Sequence, residues 1–126
     1  MLGWLGVRIM ATTQREGRTV DRLFTYGSLQ PGGPNQQILA DLEGEWQEAS
    51  VTGRLVEEGW GAEIGYPALT LEEMGDPVAG WVFTSAELRE HWSRLDDFEG
   101  HGYRRVAAHV TLSDGEVVVA HVYVLR

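Results

Sequence analysis

Apolar and polar residues alternate in several stretches of the chain, and this period of two is typical of β-strands that bury one face. The run Arg22–Tyr26 is rich in β-branched and aromatic residues and stops at Gly27, where the backbone turns freely. Alternation over Glu48–Val56 predicts a second strand, and we expect Val78–Phe83 to be its partner. These stretches predict a core built largely from strands.

The end of the chain contains two Val-rich runs, Tyr103–Leu112 and Glu116–Leu125. Ser113-Asp114-Gly115 joins them, and Asp-Gly is the favoured pair for a two-residue hairpin turn. The sequence therefore predicts a terminal β-hairpin with a tight turn.

The clearest helical spacing begins at Thr84. Thr84 and Glu87 have the spacing of a capping box, in which a hydroxyl and a carboxylate three residues later satisfy free N–H groups at a helix start. Leu88, Trp92 and Leu95 then follow at positions i, i+4 and i+7 on one face. This pattern predicts a helix over about Ser85–Phe98.

A shorter helix is predicted from near Asn35, because Ile38, Leu39 and Leu42 are helically spaced. Between the second strand and its partner, residues 57–77 are rich in Gly and Pro, which predicts a long loop near a ligand. Five or six strands with two helices predict an α+β domain built on a small curled sheet.

The length of 126 residues fits one domain. We expect residues 1–21 to be a flexible tail and residues 22–126 to be the domain. The apolar opening is short, is interrupted by Arg8 and lacks a small-residue cleavage site, so we do not interpret it as a signal peptide. The first nine residues are instead expected to be a start-site artefact or a loose tail. No apolar run approaches the roughly 20 residues of a membrane span.

Charge and cysteine content exclude several classes of function. The chain has no Cys, which excludes disulfides, thiolate nucleophiles and cysteine zinc sites and makes the cytoplasm the expected location. The net charge is −9 and all ten basic residues are Arg, so no Lys is present for a Schiff base or a Walker-type phosphate grip. Nucleic-acid binding needs a basic stripe, and the only local basic doublet is Arg104-Arg105. We therefore do not expect the chain to bind nucleic acid.

Glu99 is the main candidate for chemistry. It lies four residues after Leu95 and so places a carboxylate where the helical stripe requires an apolar residue. We expect burial, together with repulsion from Asp96 and Asp97, to raise its pKa and suit it to proton transfer near neutral pH. The alternative is that the helix ends at Phe98 and that Glu99 is hydrated at the surface.

The loop Tyr26-Gly27-Ser28-Leu29 is the second candidate. A Gly directly after a strand allows backbone N–H groups to converge on an oxyanion or a carboxylate without obstruction by a side chain. The alternative is an ordinary turn between a strand and a loop, because Gly and Ser are common turn residues.

Taken together, these two candidates resemble the γ-glutamylcyclotransferase-like family, which includes γ-glutamylamine cyclotransferases and avirulence-induced-gene-like proteins. Four segments match the family in order, and the strand sequence VAHVYVL near the end also fits. The four are LFTYGSL at Leu23–Leu29, GYPAL at Gly65–Leu69, VAGWVF at Val78–Phe83 and LDDFEGHGYRR at Leu95–Arg105. The resemblance covers about residues 22–126, and the pairing of YGS with LDxxEG is its most selective part.

The resemblance implies a small mixed β-barrel of five or six strands with helices packed outside. It assigns catalysis to Glu99 and substrate binding to Tyr26, Gly27, Ser28 and Leu29, with Tyr103 matching an aromatic residue that follows the glutamate in many relatives. The sequence departs from many relatives after the loop, at Gln30–Gly33, where they have a basic or polar residue. Because of this departure, the resemblance does not predict the substrate preference, whereas the implied chemistry is unaffected.

The implied reaction is intramolecular: the α-amine of a γ-glutamyl group attacks its own γ-carbonyl, forms 5-oxoproline and expels a free amine. No cofactor or metal is expected, and the four His residues lack H-x-x-x-H and H-E-x-x-H spacing. The expected partner is a small γ-glutamyl molecule, with no nucleic acid or membrane, and the chain is expected to be a monomer or a weak homodimer. A non-catalytic small-molecule-binding domain and a γ-glutamyl acyltransferase remain alternatives.

Overall fold

A computed structural model describes residues 14–15, 18–27, 29–33, 35–57 and 68–126 of the chain. Its eight strands, one α-helix and two 3-10 turns follow in chain order. They are β1 (Gln14–Arg15), β2 (Arg18–Thr19), β3 (Asp21–Thr25), a 3-10 turn (Gln36–Ile38), β4 (Glu45–Val56), β5 (Ala68–Leu71), β6 (Asp76–Ser85), a 3-10 turn (Leu88–Glu90), α1 (Trp92–Glu99), β7 (Tyr103–Leu112) and β8 (Val117–Leu125).

Six of the strands form one sheet in the order β5-β4-β6-β3-β8-β7, and a further pairing of β4 with β7 closes five of them into a barrel. β5 extends the sheet as a sixth strand on β4. β3 and β8 are parallel, whereas the other pairs are antiparallel. The structure confirms the expected mixed barrel and the pairing of the second strand with Val78–Phe83, since Val51 lies opposite Val78.

The barrel interior is a continuous apolar core, because alternate residues of each strand point inward. Phe24, Val82, Val110 and Val122 are among its most completely buried side chains. Gly80 faces the same interior, and a Cβ at this position would lie 2.6 Å from the Phe24 ring and even closer to the Thr25 carbonyl oxygen. The absence of a side chain at Gly80 therefore allows β3 and β6 to approach each other.

A second apolar layer covers the outside of the barrel on the side of α1. Leu88 and Leu95 are completely buried in this layer, and Leu39 and Leu42 join it from the segment before β4. Neither α1 nor either 3-10 turn of the described residues is long and apolar enough to cross a membrane.

The prediction of a continuous helix over Ser85–Phe98 is wrong. Ser85 ends β6, and a 3-10 turn is separated from α1 by His91, whose backbone angles (φ −120°, ψ 2°) are not helical. The Glu87 carboxylate of the predicted capping box accepts from the Glu43 N–H at 2.9 Å instead. The neighbouring Ser85 Oγ donates to the Glu43 carbonyl and accepts the Glu87 N–H at 3.0 Å. Contacts with the Glu43 backbone and a local turn thus replace a helical first turn.

The predicted short helix near Asn35 is only one 3-10 turn. Its backbone hydrogen bonds join residues three apart, as in the 3.1 Å bond from the Ile38 N–H to the Asn35 carbonyl. The expected loop over residues 57–77 is also partly wrong, since it contains β5 and the start of β6; residues 58–67 lie outside the described part of the chain.

The terminal hairpin forms, but its turn contains three residues instead of two. The Leu112 N–H donates to the Glu116 carbonyl at 2.8 Å, and the Gly115 N–H donates to the Leu112 carbonyl at 2.9 Å. Gly115 has a φ of 93°, as expected for the glycine that follows a type I turn in a three-residue hairpin.

Part of the segment expected to be a flexible tail forms secondary structure. β1 and β2 form a short antiparallel ladder within the segment expected to be a tail, and β3 begins at Asp21. Residues 1–13 lie outside the described part of the chain.

Substitution of Gly80 by Ala should destabilise the protein, because the new methyl group would force apart two strands of the barrel. The expected loss is about 1 to 3 kcal/mol of unfolding free energy, measured by urea denaturation. Gly102→Ala is the matched control, because no atom lies within 4 Å of its added Cβ. An equal loss in the two variants would contradict the close-approach explanation.

Candidate active site

Glu99 is the last residue of α1 and is partly buried. Its removal from water raises its pKa from 4.5 to about 7. The direction of this shift was expected from the sequence, and the surface-hydrated alternative does not fit it. A carboxyl group with this pKa exchanges protons readily near neutral pH.

The expected contribution of Asp96 and Asp97 to the Glu99 pKa is not found, since burial is its cause. Asp96 is instead bound by Arg105, through contacts of 2.9 and 3.3 Å, and by the Tyr123 hydroxyl at 2.6 Å. The Arg105 hydrogen bond, with the Tyr123 bond, holds the pKa of Asp96 below its usual value. The negative charge of Asp96 is thus compensated within its own cluster.

Tyr26 places its hydroxyl between two strands that do not pair with each other. The hydroxyl donates to the Tyr123 carbonyl of β8 at 2.7 Å and accepts from the Leu69 N–H of β5 at 3.0 Å. The β3–β8 pairing ends at Phe24 opposite Val122, so the side chain of Tyr26 continues the connection after the backbone ladder stops. Its single donor is occupied by this contact.

Two tyrosine phenols, Tyr26 and Tyr123, interact electrostatically with Glu99, and a third, Tyr103, interacts with Tyr26. Burial is the main cause that raises the pKa of Tyr26, and the charges of Tyr103 and Glu99 add to it. Burial also raises the pKa of Tyr123, with further contributions from Asp96 and Glu99. Tyr26 and Tyr123 therefore lie within electrostatic reach of the Glu99 carboxylate, and Tyr103 lies within reach of Tyr26.

The other predicted loop residues have different environments. The Gly27 carbonyl accepts the Gln30 N–H at 3.2 Å, which forms a turn directly after β3. The Leu29 side chain is buried in the outer apolar layer, so only its backbone is available to a ligand. Ser28 lies outside the described residues.

Tyr123 was missed by the sequence reasoning, although it connects two parts of the site. Its hydroxyl binds Asp96 on α1, and its carbonyl accepts the proton of Tyr26. The only signal in the sequence was a polar-tipped aromatic residue within the Val-rich run of β8. Such residues are usually explained by packing alone.

The start of α1 is held by contacts of the Trp92 side chain. The Trp92 indole N–H donates to Asp21 at 3.0 Å, and the Arg105 guanidinium lies 4.4 Å from the centre of the Trp92 ring. Arg105 therefore contacts α1 at both Trp92 and Asp96. In the part of the chain that the structure describes, no group of three or more His, Asp or Glu residues is arranged to hold a metal ion.

Comparisons with known proteins show the family of the chain. A family model described as gamma-glutamyl cyclotransferase, AIG2-like, matches residues 23–126. The gamma-L-glutamyl-butirosin B gamma-glutamyl cyclotransferase of Niallia circulans is 34% identical over 84 residues, which are 66% of this chain and 50% of that protein. The chain thus spans half the length of this relative.

Two solved structures have the same fold. The crystal structure of an AIG2-like protein from Mus musculus is 28% identical, with a TM-score of 0.64 over 83% of this chain and 76% of that one. YkqA from Bacillus subtilis is 24% identical, with a TM-score of 0.66 over 86% of this chain and 36% of that one. The likeness to YkqA shows the fold alone.

Substitution of Tyr26 by Phe should destabilise the protein, because it leaves the Leu69 N–H and the Tyr123 carbonyl without their hydroxyl partner. The expected loss in unfolding free energy is about 1 to 3 kcal/mol for each unsatisfied group. The neighbouring Thr25→Val is the matched control: its buried hydroxyl has no hydrogen-bond partner, so its removal should be neutral or stabilising. Equal losses in both variants would rule out the bridging role.

The stability of the protein should depend on the ionisation of Glu99. Because the folded state raises this pKa, the folded protein binds more protons than the unfolded chain between pH 4.5 and about 7, and wild-type stability should fall as the pH rises through this range. Glu99→Gln should remove that fall, giving a relative gain of up to about 3 kcal/mol above pH 7. Urea denaturation at pH 4 and pH 8 measures the difference. A difference that does not change with pH would contradict the buried state of the carboxylate.

Proposed function

The chain belongs to the gamma-glutamyl cyclotransferase, AIG2-like family, and on this premise we propose that it converts a γ-glutamyl amine or γ-glutamyl amino acid into 5-oxoproline and a free amine. The observation that carries the proposal is the partly buried Glu99, whose pKa of about 7 suits both the acceptance and the return of a proton.

In the proposed reaction, the ionised Glu99 takes a proton from the α-ammonium group of the substrate. The neutral amine nitrogen then attacks the γ-carbonyl carbon, and the carbonyl oxygen becomes negatively charged in a tetrahedral intermediate. When the bond to the leaving nitrogen breaks, protonated Glu99 returns its proton to that nitrogen and the carbonyl re-forms. Glu99, ionised again, accepts the second proton of the ring nitrogen and passes it to the released amine, which leaves as an ammonium ion. One carboxyl group thus serves as base and then as acid, and no group from outside the substrate and protein is needed.

The proposed role of the loop is to hold the substrate through its backbone. N–H groups at Gly27, Ser28 and Leu29 would bind the polar ends of the substrate and the developing oxyanion. The Leu29 side chain is in the core and the Tyr26 hydroxyl proton is bound to Tyr123, so side-chain contacts from these two residues are limited to the Tyr26 ring. Tyr103 would contribute its ring to the same substrate-binding site.

A γ-glutamyl acyltransferase would use the same residues with an external amine as the nucleophile. Its product would be a new γ-glutamyl amide instead of 5-oxoproline, so product analysis separates the two activities. A non-catalytic binding domain would bind the γ-glutamyl group without turnover. The raised pKa of Glu99 favours an enzyme, because a binding site gains nothing from a carboxylate that is costly to ionise.

The purified chain, incubated with a panel of γ-glutamyl amines and γ-glutamyl amino acids, should release 5-oxoproline from at least one of them. The panel should include gamma-L-glutamyl-butirosin B, which the name of the Niallia circulans relative gives as its substrate. Chromatography of 5-oxoproline and of the free amine measures the reaction. Binding without release of either product would support the binding-domain alternative and contradict the proposal.

Substitution of Glu99 by Gln, which cannot accept a proton, should lower turnover at least about a hundredfold while the protein remains folded. In the wild type, kcat/KM should rise with pH through about 7, because Glu99 must be ionised to act as the base. Asp97→Asn is the matched control: because burial sets the Glu99 pKa, this variant should leave the pH at which kcat/KM rises unchanged. A rise of kcat/KM near pH 4.5 in the wild type would exclude Glu99 as a base with a raised pKa.

A further inference from the structure

The orientation of α1 depends on contacts with the barrel, because the helix has only eight residues and its N-cap residue makes no side-chain hydrogen bond. A helix of this length is not stable by itself in water. Its position is set by the buried Leu95, by Trp92 at its start and by Asp96 near its end. The Asp96 contacts lie within one helical turn of Glu99, as does Phe98, which packs against the outer apolar layer.

Asp96 has two partners. Its contact with Arg105 is an ion pair with two hydrogen bonds, between side chains that are 45% and 25% exposed, so solvent weakens it. Both residues line a groove of about 500 Å³, which Tyr123 also lines and which admits water to the pair. The Tyr123 hydroxyl donates to the same carboxylate at 2.6 Å and is partly buried, as in strong charge-assisted hydrogen bonds.

Tyr123 also fixes the start of the loop that follows Tyr26. The Tyr123 carbonyl accepts the Tyr26 hydroxyl proton at 2.7 Å, just beyond the end of the β3–β8 ladder. Tyr26 precedes Gly27 in the chain, and Asp96 lies one helical turn before Glu99. Tyr123 is thus bonded to a residue beside each half of the proposed site, through its hydroxyl on one side and its backbone on the other.

We propose that Tyr123 is a positioning residue that sets the separation between Glu99 and the loop starting at Tyr26. It acts through Asp96 and Tyr26 and does not contact the reacting atoms. Loss of its hydroxyl would leave Asp96 held by Arg105 alone and loosen the end of α1, so that Glu99 reaches water and no longer points steadily at the substrate. The kinetic part of this inference rests on the proposed function, whereas the effect on Glu99 does not.

The test is Tyr123→Phe, which removes one oxygen atom and keeps the ring in the outer layer. NMR of glutamate carboxyl carbons, with the Glu99 resonance assigned from Glu99→Gln, should show the Glu99 pKa moving from about 7 toward 4.5. With an active γ-glutamyl substrate, kcat should fall about ten- to a hundredfold with little change in KM, since binding by the loop backbone is retained.

Ser85→Ala is the matched control, because it also removes a part-buried hydroxyl that donates to the backbone, at Glu43 instead of α1. It should leave kcat and the Glu99 titration unchanged. Asp96→Asn keeps an oxygen that can accept the Tyr123 proton and should behave more like the wild type than Asp96→Ala does. The comparison of Asp96→Asn with Asp96→Ala tests the positioning role independently if Tyr123→Phe does not fold.

An unchanged Glu99 titration in folded Tyr123→Phe would overturn the positioning role. A shift of equal size in Ser85→Ala would also overturn it, because a general loss of stability would then be sufficient. Absence of 5-oxoproline from the wild type would contradict the proposed function alone, since the NMR titration needs no substrate. The two inferences can therefore fail separately.

Discussion

The hydrogen bonds of the Tyr26 hydroxyl are the interaction on which the geometry of the site depends. β3 stops pairing with β8 after Phe24. Within the described residues, β5 pairs with β4 and forms no ladder with β8. One hydroxyl group satisfies both the Leu69 N–H of β5 and the Tyr123 carbonyl of β8. Buried backbone groups without partners are costly, so the loop after Tyr26 begins from a fixed position.

The strands could be predicted from the sequence because a half-buried strand leaves a period of two in its residues. The helices were harder to predict: Leu88, Trp92 and Leu95 have helical spacing, yet His91 interrupts the helix between them. Apolar spacing records which residues face the core, and a 3-10 turn followed by a short helix can bury the same residues. β5 was missed because four residues are too few to establish a pattern.

The site could be predicted only in part, for a related reason. Glu99 was found because it interrupts an apolar stripe, and the direction of its pKa shift follows from burial. The assumed repulsion from Asp96 was wrong because its partners, Arg105 and Tyr123, are nine and 27 residues further along the chain. The sequence places charges next to one another, but their effect depends on contacts that only the folded chain makes.

The parallel pairing of β3 with β8 also has a consequence for biosynthesis. It joins strands from opposite ends of the domain, and the Tyr26–Tyr123 bond spans 97 positions of the chain. A nascent chain that has not yet been translated through β8 has neither a closed barrel nor the Tyr123 carbonyl that accepts the Tyr26 proton. Non-local closure of this kind slows folding, so the apolar residues of β3, β4 and β6 remain open to chaperones and to aggregation until the final strand leaves the ribosome.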